Sequence, residues 1–118
     1  MLINKGLWRI YCADASHYLP LLGAQIDFKS HQLSRRWNGY RTCSEGMWTL
    51  TFGRRPFLIN RQPASVHLRL LQEAGFTLVT QQKFMRHDGV RRDELAPRWA
   101  DLSEEDLNCS GLYVIARK

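Results

Sequence analysis

No two glycines lie within three residues of each other in this chain; they stand at positions 6, 23, 39, 46, 53, 75, 89 and 111. A G-x-G turn is therefore absent. With it goes the close-approach backbone loop that aims a helix start at a nucleotide-like cofactor. Cysteine is scarce too. Cys12, Cys43 and Cys109 are far apart and form no C-x-x-C, which disfavours both a disulfide framework and a zinc knuckle. They read as reduced thiols of a cytoplasmic protein. The four histidines show no metal-ligand spacing, so no metal is expected. No apolar run approaches the ~18 residues of a membrane helix. Lys5 is followed by no long apolar stretch ending in small residues, so no signal peptide is expected. There is no internal repeat and no low-complexity stretch.

What is present is one domain's worth of chain: 118 residues, 44% hydrophobic and 24% charged. The 4 Trp, 4 Tyr and 5 Phe argue against disorder. With 17 basic and 11 acidic residues the net charge is +6. A basic balance favours anionic partners without choosing among nucleic acid, phosphates and carboxylates.

Periodicity and punctuation divide the chain. The stretch 6–19, ended by Pro20, predicts a helix. Leu22, Ala24, Ile26 and Phe28 alternate with Gly23, Gln25 and Asp27, predicting a strand over 22–28. Met47/Thr51 and Trp48/Phe52 predict a short helix over 44–52, stopped at Gly53. Pro63, the stripe Val66, Leu70 and Ala74, and Gly75 predict a helix over 63–74, with Phe76 folding back on Leu71. A strand follows over 76–85, then a turn at His87-Asp88-Gly89. Ser103-Glu104-Glu105-Asp106 opens a helix over 103–109. The apolar run of 111–117 predicts a strand buried on both faces, antiparallel to 76–85. The fold class expected is α/β or α+β: about three strands with helices as a sandwich.

Certain residues, in order, resemble one family of class I S-adenosylmethionine-dependent methyltransferases. They are Gln25-Ile26-Asp27-Phe28, His31, Trp37-Asn38-Gly39, Gly53-Arg54-Arg55-Pro56 and Leu58-Ile59-Asn60-Arg61. Leu70-Leu71 with Ala74-Gly75-Phe76, Leu95-Ala96-Pro97-Arg98, Ser103 with Glu105-Asp106-Leu107, and Ser110-Gly111 continue the series. The resemblance covers about residue 21 to the end and is to the C-terminal half. It implies a partial, methyltransferase-like sandwich, with 1–20 an N-terminal helix of separate origin in a single domain of 1–118. Where that family has a Lys-Pro-Gly-Gly turn, this chain reads His17-Tyr18-Leu19-Pro20, and Ala24 replaces a histidine. The family's S-adenosylmethionine cradle lies in the half this chain does not resemble. A truncated, substrate-side half that binds no cofactor alone is therefore expected, and the enzyme question stays open.

Ligands of open sheets gather beyond strand carboxyl ends, which selects Asp27, Lys29, Ser30 and His31. His31 fits a general base with Asp27 its orienter; a turn cap beside a solvated histidine fits equally. Trp37, Asn38, Arg54, Arg55, Asn60 and Arg61 form a candidate substrate-binding lid with arginine forks, against surface arginines beside a packed tryptophan. His67 reads as a packing residue, and Glu104, Glu105 and Asp106 as helix-start charges. Arg35-Arg36, Arg54-Arg55 and Arg91-Arg92 with Trp37, Trp48 and Trp99 are scattered and match no nucleic-acid motif. A half-domain cut through its sheet leaves the 22–28 strand without a neighbour, so a homo-oligomer, a two-fold dimer, is expected. Binding or assembly module and basic nucleic-acid binder are the alternatives to the truncated methyltransferase.

Overall fold

A computed structural model describes residues 8–12, 21–54 and 59–118, the first of these as backbone only. It holds β1 (Trp8–Cys12), β2 (Leu21–Asp27), α1 (Glu45–Phe52), α2 (Ala64–Glu73), β3 (Thr77–Met85), α3 (Glu104–Asn108) and β4 (Cys109–Arg117). Short 3-10 turns occupy Gly39–Thr42, Arg92–Glu94 and Pro97–Trp99. The strands make one sheet in the order β1-β2-β4-β3, every neighbour antiparallel. The class is α+β.

The central strand β4 explains the layering. Along it Leu112, Val114 and Ala116 are buried, while Gly111, Tyr113 and Ile115 between them are only half-buried. The expectation of burial on both faces is thus corrected. Only one face carries a helix among the described residues, and the period-two pattern follows from that. On the covered face α2 lays Ala64, Leu68 and Leu71 over Ala24, Ile26, Phe28, Cys109, Leu112 and Val114. Gly75, at φ +91°, ends the helix. The Phe76 N–H then donates to Leu71 O at 3.0 Å, and Phe76 joins Leu71 in the same cluster, the cap that the sequence predicts.

A second core lies outside the sheet. Tyr40, Trp48, Ile59, Ala96 and Trp99 cluster with Phe52 and Leu102. α1 enters it through Trp48 and is capped by Ser44, whose Oγ accepts from Met47 N–H at 3.2 Å. The Tyr40 hydroxyl donates to Phe28 O at 3.0 Å and ties the two cores together.

The helix expected over 6–19 is wrong where it is described. Residues 8–12 are β1, in hairpin register with β2: Trp8 opposite Ile26, Ile10 opposite Ala24, Cys12 opposite Leu22. Trp8, Ile10 and Cys12 also alternate with Arg9 and Tyr11, a period-two pattern that the helical reading passed over. The remainder of 6–19 lies outside the described residues. In consequence β2 is an interior strand, not the bare edge expected. The open edge on the described side is β3, whose exposure runs along nearly its whole length.

Single-sided burial has a measurable signature. Leu112→Ala should cost about 2–5 kcal/mol, the range of a large-to-small core change. Ile115→Ala, on the other face, should cost clearly less. Urea unfolding of both variants checks this.

Candidate functional site

Asp27 is the last residue of β2, and the chain turns sharply beyond it. Asp27 Oδ1 accepts the Lys29 N–H at 2.8 Å. Asp27 Oδ2 lies 3.1 Å from His31 Nε2. Both side chains reach solvent, at 32% and 42% exposure. The turn is built from below by Ser30, which is buried. Its hydroxyl donates to Trp37 O at 2.7 Å, its N–H to the same oxygen, and Leu33 N–H donates back to Ser30 O. Held this way, His31 and Gln32 take φ +47° and +72°. Such a conformation costs non-glycine residues about 1–3 kcal/mol each, whereas an exposed ion pair returns only ~0–1 kcal/mol. The pairing therefore does not account for the strain, which the loop's anchors sustain. The two catalytic candidates selected from sequence do stand together.

The lid candidates do not converge. Asn38 is fully buried: its Oδ1 accepts Val90 N–H at 2.8 Å and its Nδ2 donates to Leu107 O at 3.2 Å. Trp37 is buried beside it. Asn60 is buried and bonds His67 Nε2 at 3.0 Å. Arg61 forks onto Glu45, both contacts 3.1 Å, and stacks 4.4 Å from the Trp48 ring centroid. Arg98 pairs with the same Glu45. The Arg61 bond is the main reason the Glu45 carboxyl sits below its usual range. Arg54 is exposed, and Arg55 lies outside the described residues. Asn38, Asn60 and Arg61 thus have their polar groups engaged by other parts of the chain, and of the described lid candidates Arg54 alone is exposed.

Two structural residues escaped the sequence reading. Arg41 has no exposed surface. Its Nη1 donates to Asp106 O at 2.9 Å and Leu107 O at 3.0 Å. Trp37, Tyr40 and Trp99 surround its Cζ at 5.5–6.0 Å from their ring centroids. Asp106, read as a helix-start charge, also caps a second helix: its Oδ1 accepts the Ser65 N–H at 3.1 Å and its Oδ2 the Ser65 hydroxyl at 2.5 Å. Neither role leaves a local pattern, because each partner is tens of residues away in sequence.

Around Asp106 opens a groove of about 300 Å³, with Ser65, Trp99, Asp101 and Ser103 in its wall. The start of α2 is the place on the covered face where backbone N–H groups would greet an anion, and the chain's own Asp106 carboxylate already occupies it. Two glycines are used internally as well. A Cβ on Gly89 would overlap the Asn38 amide, and one on Gly39 would meet the Ser34 side chain. Gly39 and Gly89 are thus taken up by internal packing rather than left for a ligand's close approach. Among the described residues no three His, Cys, Asp or Glu side chains stand together as a metal site. No described helix is long and apolar enough to cross a membrane. Cys43 and Cys109 are free thiols, the latter pushed up by burial.

No protein-family model, no curated protein and no solved structure matches this chain.

Two outcomes follow from these contacts. Burial holds His67 down to about 4, against ~6.5 in an unfolded chain. Below pH 6.5 the unfolded chain takes up this proton first, so the site's contribution is whole above that pH. It drains away as pH falls towards 4, by on the order of 3 kcal/mol in all. The urea midpoint of the protein should drop between pH 7 and 5, and His67→Gln should flatten that drop. Arg41→Ala strips the Asp106 carbonyl of its side-chain donor, leaves Leu107 O to Asn38 Nδ2 alone, and empties an aromatic cage. Its unfolding free energy should fall by about 3 kcal/mol or more, which equilibrium denaturation reads.

Proposed function

We propose that this chain is the substrate-side half of a methyltransferase-like fold that transfers no methyl group alone. It serves as a small-molecule-binding assembly unit, with a second copy joined along β3. The observation that carries the assembly reading is the exposure of β3: Thr77 and Val79–Gln82 are exposed, as are Phe84 and Met85. Val79, Phe84 and Met85 leave 53%, 42% and 40% of their surface in solvent. An edge strand with free N–H and C=O groups and apolar side chains pairs readily with another chain. Edge pairing extends the sheet and leaves its open face free. The non-catalytic reading is supported by the missing G-x-G and by Asp106 filling the start of α2.

A nucleic-acid partner draws less support. Arg36, Arg91 and Arg92 hold Glu94, Asp93 and Glu104. Arg36 and the Arg91 N–H together pull the Glu94 carboxyl down to about 2. Trp37, Trp48 and Trp99 are buried rather than offered as stacking platforms.

Multi-angle light scattering at tens of micromolar should give twice the chain mass, and Val79→Lys, which places a charge on the edge, should give the monomer. A folded wild-type monomer at that concentration removes the assembly reading. Calorimetry with S-adenosylmethionine should give no heat of binding; low-micromolar affinity would restore an enzyme.

A further inference from the structure

The strand register places three residues in one row across the sheet face that no described helix covers: Asp27 on β2, Gly111 on β4 and Phe84 on β3. The Phe84 side chain lies over Gly111, within 3.4 Å of where a Cβ would stand. A Cβ at 111 would meet that ring at ordinary van der Waals distance, so the phenyl group already covers the surface above the glycine. Two strand spacings, about 10 Å, separate the backbones of Asp27 and Phe84. The phenyl group leans over the middle of that span, and with 42% of Phe84 exposed its outer side is left for a planar ring to rest on. At the Asp27 end of the row stands the imidazole of His31, and Tyr113 and Gln25 form the next row.

The pair has a directional chemistry. With Nε2–H donated to Asp27 Oδ2, the His31 lone pair resides on Nδ1. Lys29 N–H fixes the other carboxylate oxygen, so Asp27 cannot swing away. An acceptor of this kind suits an O–H that is acidic enough to surrender its proton. A neighbouring aromatic face suits a ring stacked in offset or edge-on contact.

We propose that Asp27, His31, Gly111 and Phe84 form a binding site for a planar ring bearing an acidic hydroxyl, a phenol-like ligand. The ring rests against Phe84, and the hydroxyl donates to His31 Nδ1. On proton transfer the ligand O–H bond breaks, Nδ1–H forms, and the phenolate faces an imidazolium that Asp27 neutralises from behind. This names the ligand class for the small-molecule reading above and rests on it. Phe84 belongs to β3 and so to the assembly edge as well, and the His31 variant, which lies off that edge, tells the two readings apart.

The full chain titrated with para-nitrophenol at neutral pH tests it, with phenolate absorbance and amide chemical shifts as readouts. Saturable binding with a rise in phenolate signal is expected, with shifts at Asp27, His31 and Gly111. His31→Gln, on a solvent-facing turn, should weaken binding roughly tenfold or more and abolish the phenolate rise. Phe84→Ala should weaken it while leaving that rise in the bound fraction. Light scattering should show the His31→Gln chain in the same oligomeric state as wild type. Equal binding of para-nitroanisole, which has no proton to give, would overturn the proton-accepting role and leave the small-molecule reading standing. Unchanged affinity in His31→Gln would overturn the site. No saturation by either probe would overturn both, without touching the assembly reading.

Discussion

The Arg41 guanidinium, wholly inside the protein, closes on two backbone carbonyls, those of Asp106 and Leu107. α3 is five residues long and turns directly into β4, so its last carbonyls have no helical partner and would be stranded in the interior. A cation at a helix C-terminus is favourable in charge as well as in hydrogen bonding. Asn38 Nδ2 reinforces the same Leu107 carbonyl. Asp106 passes the constraint on, because its side chain caps α2 through Ser65. One short segment thus fastens the Gly39–Thr42 turn, the helix over the sheet and the start of the central strand. The cost is a buried charge with no carboxylate partner among its described bonds, surrounded by three aromatic rings that offer their faces to it.

That fastening explains where the exposed chemistry sits. With the 38–41 segment held, Tyr40 bonds Phe28 O and Ser30 bonds Trp37 O, so the chain leaving β2 must turn at once. Asp27 is stopped at the rim of the sheet and His31 is brought back over it in a left-handed conformation. Burial of the tyrosine pushes its phenol above the usual range while Arg41 beside it pulls the other way. The interior between the two cores is polar at its hub, where Arg41 Nη1 is bonded while Arg41 Nε and Nη2 and Trp37 Nε1 have no described hydrogen-bond partner. Asp27 and Phe84 lie on the opposite face of the sheet, which no described helix covers.

Much of this was legible locally. The spans of β2, α1, α2, β3 and α3 follow from apolar spacing, from Ser103 as a cap, and from Gly53 and Gly75 as stops. The Asp27–His31 proximity follows from a four-residue spacing beyond a strand end. Reading 8–12 as helical failed because Leu7, Ile10 and Tyr11 satisfy a helical period while Trp8, Ile10 and Cys12 satisfy a strand period. β2 alone, as a hairpin partner, selects the second. Asn38, Asn60 and Arg61 resemble a ligand-binding set on paper, yet their polar groups are consumed by Val90, His67 and Glu45.

Short-range order is written in neighbours along the chain, and a caps-and-period reading recovers it because each signal and its response lie within one turn of backbone. Burial of Arg41, capture of Asp106 by Ser65, the contact of Phe84 with Gly111 and the one-sided burial of β4 all join residues distant in sequence. No window of the chain contains both partners. Those features came into being only when the strands paired and excluded water from one side of the sheet and not the other.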